Sequence, residues 1–295
     1  MELIQIITVI IIVYNSEKTI KKCIESIINQ NYYDIEIIVI NDGSTDKTEE
    51  IIKSYSNIKL YNIAHKGVSY ARNLGIKFCK TPYFMFVDSD DFLEDNAIKI
   101  MYDKMKEYSC DIVIGSIDNS LKQEIILTDD KYDYLFNQKI KYIVTPWNKL
   151  YKKSLFKDLK YPDLSLAEDE YLFHHILKNS NKIVIIPNKT YNYTVNNGLS
   201  SKLTLYYMDA IKAFENKKNF FKNTKYGTIA LKQYLNYLIY LYCLLKDNKI
   251  KGKQIISYFK KEKYSFNLKY YVFKLFPNSY YKLFKIRRKL CKKYQ

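Results

Sequence analysis

Three aspartates lie within four residues of one another in the segment VDSDD, as Asp88, Asp90 and Asp91. They directly follow an apolar run, and three carboxylates this close repel one another unless a cation neutralises them. Mg²⁺ and Mn²⁺ prefer oxygen ligands and typically take one or two protein carboxylates, which leaves positions for water and phosphate oxygens. The segment therefore predicts a divalent-metal site. An acidic turn or helix N-cap, where aspartate is common, is the alternative interpretation.

Other polar residues stand at the ends of predicted elements. Tyr14 and Asn15 follow the first apolar run, Asn41 and Asp42 follow the second, and Glu168 with Asp169 opens a helical pattern much later in the chain. Ligands of parallel sheets bind beyond the carboxyl ends of the strands. We therefore expect these side chains and the aspartate cluster to meet at one edge of a sheet.

Apolar runs alternate with helical patterns through the first part of the chain. The continuous β-branched run Ile4–Val13 predicts a central strand covered on both faces, and Glu36–Ile40, Ile58–Ile63 and Tyr83–Val87 predict three more strands. Val68–Lys77 predicts one of the helices between them. Repeated strand–helix–strand units indicate an α/β fold, Rossmann-like, with a mostly parallel central sheet flanked by helices.

The charge of the chain is unevenly distributed. The formal net charge is +17, but residues 1–202 contain 26 Lys and Arg against 27 Asp and Glu, whereas residues 203–295 contain 22 against 4. From Leu203 onward the pattern becomes helical, basic and rich in aromatic residues. We therefore predict two domains, an α/β domain at 1–202 and a basic, aromatic-rich helical region at 203–295.

Cysteine spacing and hydrophobicity narrow the class of protein. The five cysteines are scattered singly, which indicates neither a zinc site nor a disulfide framework and fits a reducing compartment. The apolar N-terminus lacks a basic segment and a small-residue cleavage site, so we interpret it as a strand and not a signal peptide. Since no apolar run approaches the roughly 18 to 20 residues of a membrane span, we expect a cytoplasmic or peripheral protein.

Six motifs in one order carry a family resemblance: VIIIVYN, EIIVINDGSTD, GVSYARNLGI, VDSDDFLE, PWNKLY and AEDEYLF. Over roughly residues 4–202 the chain resembles the inverting bacterial glycosyltransferases of family 2, which have the GT-A fold. Two positions depart from the common pattern, because Ile12 and Asp95 stand where family members often have proline. Neither position supplies a reacting side chain.

The resemblance implies a nucleotide-sugar donor site. Tyr14 would stack on the nucleobase and Asp42 would accept a hydrogen bond from a ring N–H such as uracil offers, which together imply a UDP-sugar. Arg72 would lie near the donor phosphates. Asp88 would hold the ribose hydroxyls or a metal-bound water. The metal, Mn²⁺ or Mg²⁺, would be held by Asp90, with Asp91 in reserve.

The resemblance also implies a base and an acceptor pocket. Asp169 would take the proton of the acceptor hydroxyl while its oxygen attacks the anomeric carbon from the face opposite the leaving diphosphate, which inverts the anomer. Trp147 and Glu168 would help to form the acceptor pocket, with the flat indole available to stack on a sugar ring. A helix cap for the acidic pair and a core position for Trp147 are the alternatives.

The basic region interleaves aromatic residues with Lys and Arg, as in KLFPNSYYKLFKIRRKLCKKYQ. This composition is typical of helices lying on anionic lipid, so we expect peripheral attachment at the inner face of a bacterial membrane. No nucleic-acid fold motif accompanies the charge, which makes a nucleic-acid partner less favoured, and a merely solubilising tail is a further alternative. The expected function is sugar transfer to a glycan or glycolipid in cell-surface polysaccharide, lipooligosaccharide or glycoprotein synthesis. A non-catalytic UDP- or glycan-binding module of the same fold is the alternative, and an oligomer is possible.

Overall fold

The structure is a computed structural model of the 295-residue chain, and it describes residues 7–31, 35–118, 120–137, 142–194, 206–248, 252–263 and 267–291. The chain forms two compact units, Met1–Asn197 and Gly198–Gln295. The domain boundary predicted at residue 202 lies outside the described residues.

The first unit alternates strands and helices, as the apolar pattern predicts. Its strands are β1 (Ile7–Val13), β2 (Ile35–Asn41), β3 (Ile58–Asn62), β4 (Tyr83–Asp88), β5 (Phe92–Leu93), β6 (Ile112–Ser116), β7 (Ile125–Leu127), β8 (Lys149–Lys152), β9 (Ile183–Lys189) and β10 (Tyr191–Asn192). Its helices are α1 (Ile20–Ile28), α2 (Thr48–Lys53), α3 (Val68–Phe78), α4 (Ala97–Glu107), α5 (Lys131–Asn137) and α6 (Glu168–Asn179), with a 3₁₀ turn at Lys153–Phe156.

The described residues of this unit form an eight-stranded sheet in the order β3-β2-β1-β4-β8-β6-β9-β7. Strands β3, β2, β1 and β4 are parallel, and β8 is antiparallel to both of its neighbours. In the register, Val13 pairs with Asn41 and Ile12 pairs with Asp88. The residues after β1, β2 and β4 therefore leave the sheet at the same edge.

Burial explains why β1 lies at the centre of the sheet. Six of its seven residues are buried, as expected for a β-branched strand covered by helices on both faces. Helix α1 packs against it with Ile20, Cys23, Ile24 and Ile27, which share one face at helical spacing. This packing fixes the edge at which the polar motifs lie.

The second unit is helical. Its helices are α7 (Tyr207–Phe221), α8 (Gly227–Asp247), α9 (Lys253–Lys261), α10 (Leu268–Leu275) and α11 (Pro277–Cys291). They surround an apolar core of their own, to which Tyr234, Leu238, Phe259 and Phe273 contribute. Among the residues described, no helix combines the length and apolarity needed to cross a membrane.

Candidate active site

The turns after β1 and β2 are joined by polar contacts. The side-chain oxygen of Asn15 accepts a hydrogen bond from the backbone N–H of Thr45 at 2.8 Å, and the backbone N–H of Asn15 donates to Ser44 Oγ at 2.9 Å. Asn15 has a φ of 50°, a left-handed conformation that asparagine tolerates better than most residues. This turn presents Tyr14 at the surface, with 47% of the residue exposed.

Tyr14 and Asp42 both contact His65, a residue that the sequence motifs did not single out. The rings of Tyr14 and His65 stack with centroids 4.2 Å apart, and Nδ1 of His65 lies 3.0 Å from Oδ2 of Asp42. The carboxylate of Asp42 is buried and accepts the backbone N–H groups of Lys66 at 2.7 Å and Gly67 at 2.9 Å. Asp42 therefore shapes the turn before α3, while its role toward a nucleobase stays a prediction.

Asp88, Asp90 and Asp91 form a compact carboxylate cluster after β4, with their ligand oxygens within 4.8 Å of one another. Asp91 is buried, and its two oxygens accept the hydroxyl of Tyr191 at 2.8 Å and the backbone N–H of Thr194 at 2.7 Å. Asp88 and Asp90 are partly exposed. The protein bonds of Asp91 make it an anchor of the cluster, and the two more accessible carboxylates suit a metal ion better.

The cluster is electrostatically strained in the protein alone. Burial raises the pKa of Asp88 to about 6; Arg72 opposes the shift, while Asp90 and Glu168 add to it. Burial also raises the pKa of Asp91 to about 7. The hydrogen bonds from Thr194 and Tyr191 oppose this shift, and the charge of Asp88 adds to it. Oxygen donors of like charge that hold protons this strongly are a fitting set for a hard divalent cation, which neutralises them on binding.

Arg72 connects this cluster to the start of α6. Its guanidinium forms a buried ion pair with Glu168, and its Nη2 lies 3.7 Å from Oδ1 of Asp88. Burial alone lowers the pKa of Arg72, but the carboxylates of Glu168 and Asp88 outweigh burial and raise it. Its Nε is buried and has no hydrogen-bond partner within the described part of the chain. The predicted position of Arg72 near donor phosphates is compatible with this place beside Asp88.

Asp169 follows Glu168 in the first turn of α6 and is partly exposed. Its Oδ1 accepts the backbone N–H of Glu170 at 2.7 Å. Burial raises the pKa of Asp169 to about 7; the charge of Glu168 adds to the shift and Arg72 opposes it. A carboxylate with this pKa is suited to accept a proton near neutral pH.

Helix α3 holds the segment that leads into α6. Ser69 Oγ donates to the carbonyl of Leu164 at 2.8 Å, and Asn73 exchanges hydrogen bonds with the backbone of Tyr161. Ala167, directly before Glu168, has a φ of 63°, a strained conformation for a non-glycine residue. These contacts fix the acidic start of α6 against the helix that carries Arg72.

Comparison with known proteins identifies the family. A family model described as "Glycosyl transferase family 2" matches residues 8–159, just over half of the chain. The chain belongs to glycosyltransferase family 2. The family predicted from the six ordered motifs is thereby confirmed.

The relatives of this family 2 chain include two proteins of Streptococcus pneumoniae. Glycosyltransferase GlyA is 36% identical over 219 residues, which cover 67% of this chain and 32% of GlyA. Glycosyltransferase GlyG is 30% identical over 219 residues, which cover 66% of this chain and 72% of GlyG. The matched part of the chain thus spans about a third of GlyA and most of GlyG.

Solved structures confirm the predicted GT-A fold. Residues 1–349 of TarS from Staphylococcus aureus are 22% identical with a TM-score of 0.69, covering 86% of this chain and 78% of that one. The same part of TarS in complex with UDP-GlcNAc has a TM-score of 0.60. TarS is a poly(ribitol-phosphate) β-N-acetylglucosaminyltransferase.

The acceptor-pocket residues predicted for this family 2 chain lie differently from expectation. Trp147 is only 5% exposed, and its ring stacks with that of Tyr191 at 4.8 Å and with that of Tyr193 at 5.3 Å. So little exposed surface does not support direct stacking of Trp147 on a sugar ring and favours the alternative of a core position. Glu168 is buried in the pair with Arg72, so it positions the arginine and is not an exposed wall of a pocket.

Lys149 is a further residue that sequence reasoning missed. It is completely buried, and its Nζ donates to the carbonyls of Thr145 at 2.7 Å, Tyr142 at 3.2 Å and Trp147 at 3.4 Å. Burial lowers its pKa to about 7, and the charge of Asp169 opposes the shift. Its position directly before Leu150 and Tyr151 in the motif PWNKLY was the available signal, because a lysine in an apolar segment must satisfy its charge inside the protein.

Proposed function

We propose that this chain is a metal-dependent inverting glycosyltransferase that moves a hexosyl or N-acetylhexosaminyl group from a UDP-sugar to a hydroxyl of a cell-surface glycan. The observation that carries the proposal is the bridge through Arg72, which holds the carboxylate cluster after β4 and the start of α6 in one site. The UDP-GlcNAc complex of TarS supports the donor class. The named activity of TarS supports a role in cell-envelope polymers.

The residues at the strand ends suit a UDP-sugar. Tyr14 offers an exposed ring for the uracil, and Asp42 has oxygen lone pairs beyond those used by Lys66 and Gly67 to accept a ring N–H. Since His65 already stacks on Tyr14, the base either displaces His65 or uses the opposite face of the tyrosine. In this proposal Asp88 holds the ribose hydroxyls.

The diphosphate belongs beside Asp88 and Asp90, the accessible members of the cluster. A bound Mn²⁺ or Mg²⁺ supplies the positive charge that stabilises the departing diphosphate. The partnerless Nε of Arg72 supports a role of this side chain toward a phosphate oxygen, because a buried donor without a partner is costly. Asp91 keeps the cluster in place through Tyr191 and Thr194.

Asp169 acts as the general base in this proposal. Its carboxylate takes the proton from the acceptor hydroxyl while the acceptor oxygen forms a bond to the anomeric carbon. The bond between that carbon and the diphosphate oxygen breaks, and UDP leaves with the electron pair. Attack from the face opposite the diphosphate inverts the anomeric configuration, and the pKa of about 7 favours proton acceptance near neutral pH.

The test is a screen of UDP-, GDP- and dTDP-sugars with and without Mn²⁺. Binding is measured by thermal shift, and turnover by the release of the nucleoside diphosphate. We expect stabilisation and slow UDP release with UDP-sugars only when Mn²⁺ is present, and loss of both in Asp90→Asn. Asp103→Asn is the matched control, since Asp103 is exposed on α4 and pairs with Lys99. Equal behaviour of Asp90→Asn and wild type contradicts the proposal, and metal-dependent UDP binding without turnover points to a non-catalytic binding module.

We further propose that the helical unit attaches this enzyme to the inner face of a bacterial membrane, where lipid-linked acceptors are accessible. Four large apolar side chains on α10, on α11 and at the residue between them are more than half exposed: Leu268, Leu275, Phe276 and Leu283. Exposed lysines, Lys269, Lys282 and Lys285, lie on the same two helices. Apolar side chains interleaved with basic ones fit an anionic lipid surface, where each basic residue contributes about 1 kcal/mol.

Flotation with vesicles tests this attachment. Vesicles containing phosphatidylglycerol should carry the wild-type protein, whereas pure phosphatidylcholine vesicles should carry much less. Phe276→Ser with Leu283→Ser should weaken flotation about tenfold or more, since two large apolar groups are removed. Tyr240→Ser is the control, because Tyr240 is exposed on α8. Flotation equal for the two lipids, or salt-sensitive RNA binding that displaces the vesicles, contradicts membrane attachment.

A further inference from the structure

A stack of three aromatic rings stands next to the carboxylate cluster, and only its outer ring is open to solvent. Tyr191 and Trp147 are buried, with ring centroids 4.8 Å apart and 12° between their planes. The ring of Tyr193 also stacks with that of Trp147, at 5.3 Å and 14°, and Tyr193 is 40% exposed. The stack therefore ends in one accessible tyrosine.

Bonds on either side of Tyr193 fix it to the cluster. The hydroxyl of Tyr191 donates to Oδ2 of Asp91 and accepts the backbone N–H of Asp88 at 3.1 Å. The backbone N–H of Thr194 donates to Oδ1 of Asp91. The pKa of Tyr193 is raised, first by burial and then by Asp91. Tyr193 thus lies at the rim of the site in which the donor sugar is placed by the proposed function.

The inner side of the stack is rigidly supported. Lys149 donates its Nζ to three backbone carbonyls of the segment 142–147, which carries both Tyr142 and Trp147. Tyr142 contacts Trp147 at 5.3 Å and Tyr193 at 5.5 Å. The buried Nζ is thus an internal hydrogen-bond donor for this segment, and the hydroxyl of Thr145 adds a second bond to the carbonyl of Tyr142 at 2.9 Å. The exposed ring is therefore preorganised.

We propose that Tyr193 is the stacking surface for the ring of a neutral pyranoside acceptor, and that Lys149 positions this surface by holding Trp147 behind it. The proposal rests on the proposed function and assigns the acceptor side of the same site. A rigid tyrosine offers a large apolar face and a polar hydroxyl, which suits the apolar face and hydroxyl rim of a sugar ring. With the donor bound, the three carboxylates and the diphosphate carry more negative charge than one divalent cation neutralises, which favours a neutral sugar over a polyol phosphate.

The probes are methyl β-D-glucopyranoside and methyl β-D-galactopyranoside, with ribitol 5-phosphate as the anionic alternative. Their binding to the full chain in the presence of UDP and Mn²⁺ is measured by saturation-transfer NMR. We expect Tyr193→Ala to weaken pyranoside binding about tenfold and Tyr193→Phe to stay within about twofold of wild type, because phenylalanine keeps the stacking face. Tyr70→Ala is the control, since Tyr70 is an exposed tyrosine on α3.

Lys149→Met and Lys149→Arg test the positioning role. Lys149→Met should raise the KM for the pyranoside more than it changes UDP affinity, and Lys149→Arg should restore part of the loss. The proposal is overturned if Tyr193→Ala binds the pyranosides as well as wild type does. It is also overturned if ribitol 5-phosphate, and not the pyranosides, binds in a way that depends on Tyr193. UDP affinity, measured on the same variants, tests the donor site separately, so failure of the acceptor proposal is distinguishable from failure of the proposed function.

Discussion

Replacing Glu168 by glutamine tests the bridge at the centre of the site. Glutamine keeps the shape of Glu168 and one acceptor for Arg72, but it removes a charge from a buried ion pair. The guanidinium stays charged, so its remaining hydrogen bond to the amide still contributes about 1.5 to 3 kcal/mol, and what the variant loses is the attraction between two buried opposite charges. Because Asp88 at 3.7 Å still faces the arginine, the loss should stay below the roughly 3 to 5 kcal/mol of a fully broken buried pair.

We therefore expect Glu168→Gln to lower the free energy of unfolding by about 2 kcal/mol. For a unit of this size, this corresponds to a fall in Tm of about 4 to 8 °C. Glu168 also raises the pKa of Asp169, second only to burial. The variant should therefore keep activity, but the pKa of Asp169 should be lower than in wild type. As the pH is lowered, the variant should then lose activity at a lower pH than wild type does.

The assay is Mn²⁺-dependent UDP release between pH 5 and 9, paired with thermal unfolding. Glu170→Gln is the matched control, because the charge of Glu170 raises the pKa of Asp169 less than that of Glu168 does. This variant should shift the acidic side of the pH–rate profile less than Glu168→Gln does. If Glu168→Gln abolishes UDP release at every pH while UDP still binds, Glu168 is the base and the assignment of Asp169 is refuted. An unchanged Tm refutes the energetic role of the ion pair.

Three further predictions concern the cluster and the buried lysine. Asp91→Asn should weaken Mn²⁺ binding about tenfold, because Asp91 holds the cluster through Tyr191 and Thr194. Asp95→Asn, at an exposed position, should leave Mn²⁺ affinity unchanged. A calorimetric titration in which Asp95→Asn weakens Mn²⁺ binding more than Asp91→Asn excludes this anchoring role. The pKa of Asp88 is raised to about 6 and that of Asp91 to about 7, so a cation that binds the cluster must displace protons. The affinity for Mn²⁺ in the presence of UDP should therefore rise from pH 5.5 to 7.5. An affinity that does not change over this range contradicts the prediction. Lys149→Met should lower the free energy of unfolding by about 3 kcal/mol in denaturant titrations, since the carbonyls of Thr145 and Trp147 lose their bond from Nζ and that of Tyr142 keeps only the hydroxyl of Thr145. The exposed Lys99→Met should change it by less than about 0.5 kcal/mol, and similar losses in the two variants would argue against Lys149 as an internal hydrogen-bond donor.

Much of the fold follows from the sequence because strand burial is encoded locally. The β-branched run ending at Val13 and the run Glu36–Ile40 each predict a strand within one or two residues at the described ends. The antiparallel insertion of β8 between β4 and β6 could not be predicted, because four residues with no alternating pattern carry it. Its place depends on pairing between distant strands, which a local pattern does not specify.

The site was predictable only where residues follow strands. The meeting of the aspartate cluster with the turns after β1 and β2 follows from parallel strands that end at one edge, whereas the place of Arg72, on α3, was implied only by the family resemblance. The packing of Trp147 against Tyr191 and Tyr193 depends on contacts over more than forty positions of sequence, so the sequence could not reveal which aromatic ring stays exposed. The three carbonyls around Lys149 are likewise a property of the folded backbone and not of side-chain types.

The most direct test of the central claim is UDP release from a UDP-sugar with Mn²⁺, measured beside UDP binding for wild type, Asp90→Asn and Asp169→Asn. We expect Asp90→Asn to lose metal-dependent binding and release together. We expect Asp169→Asn to bind UDP like wild type but to release UDP at least about a hundredfold more slowly, because a general base is removed. Release by Asp169→Asn at the wild-type rate, or equal binding and release by Asp90→Asn and wild type, would contradict the central claim.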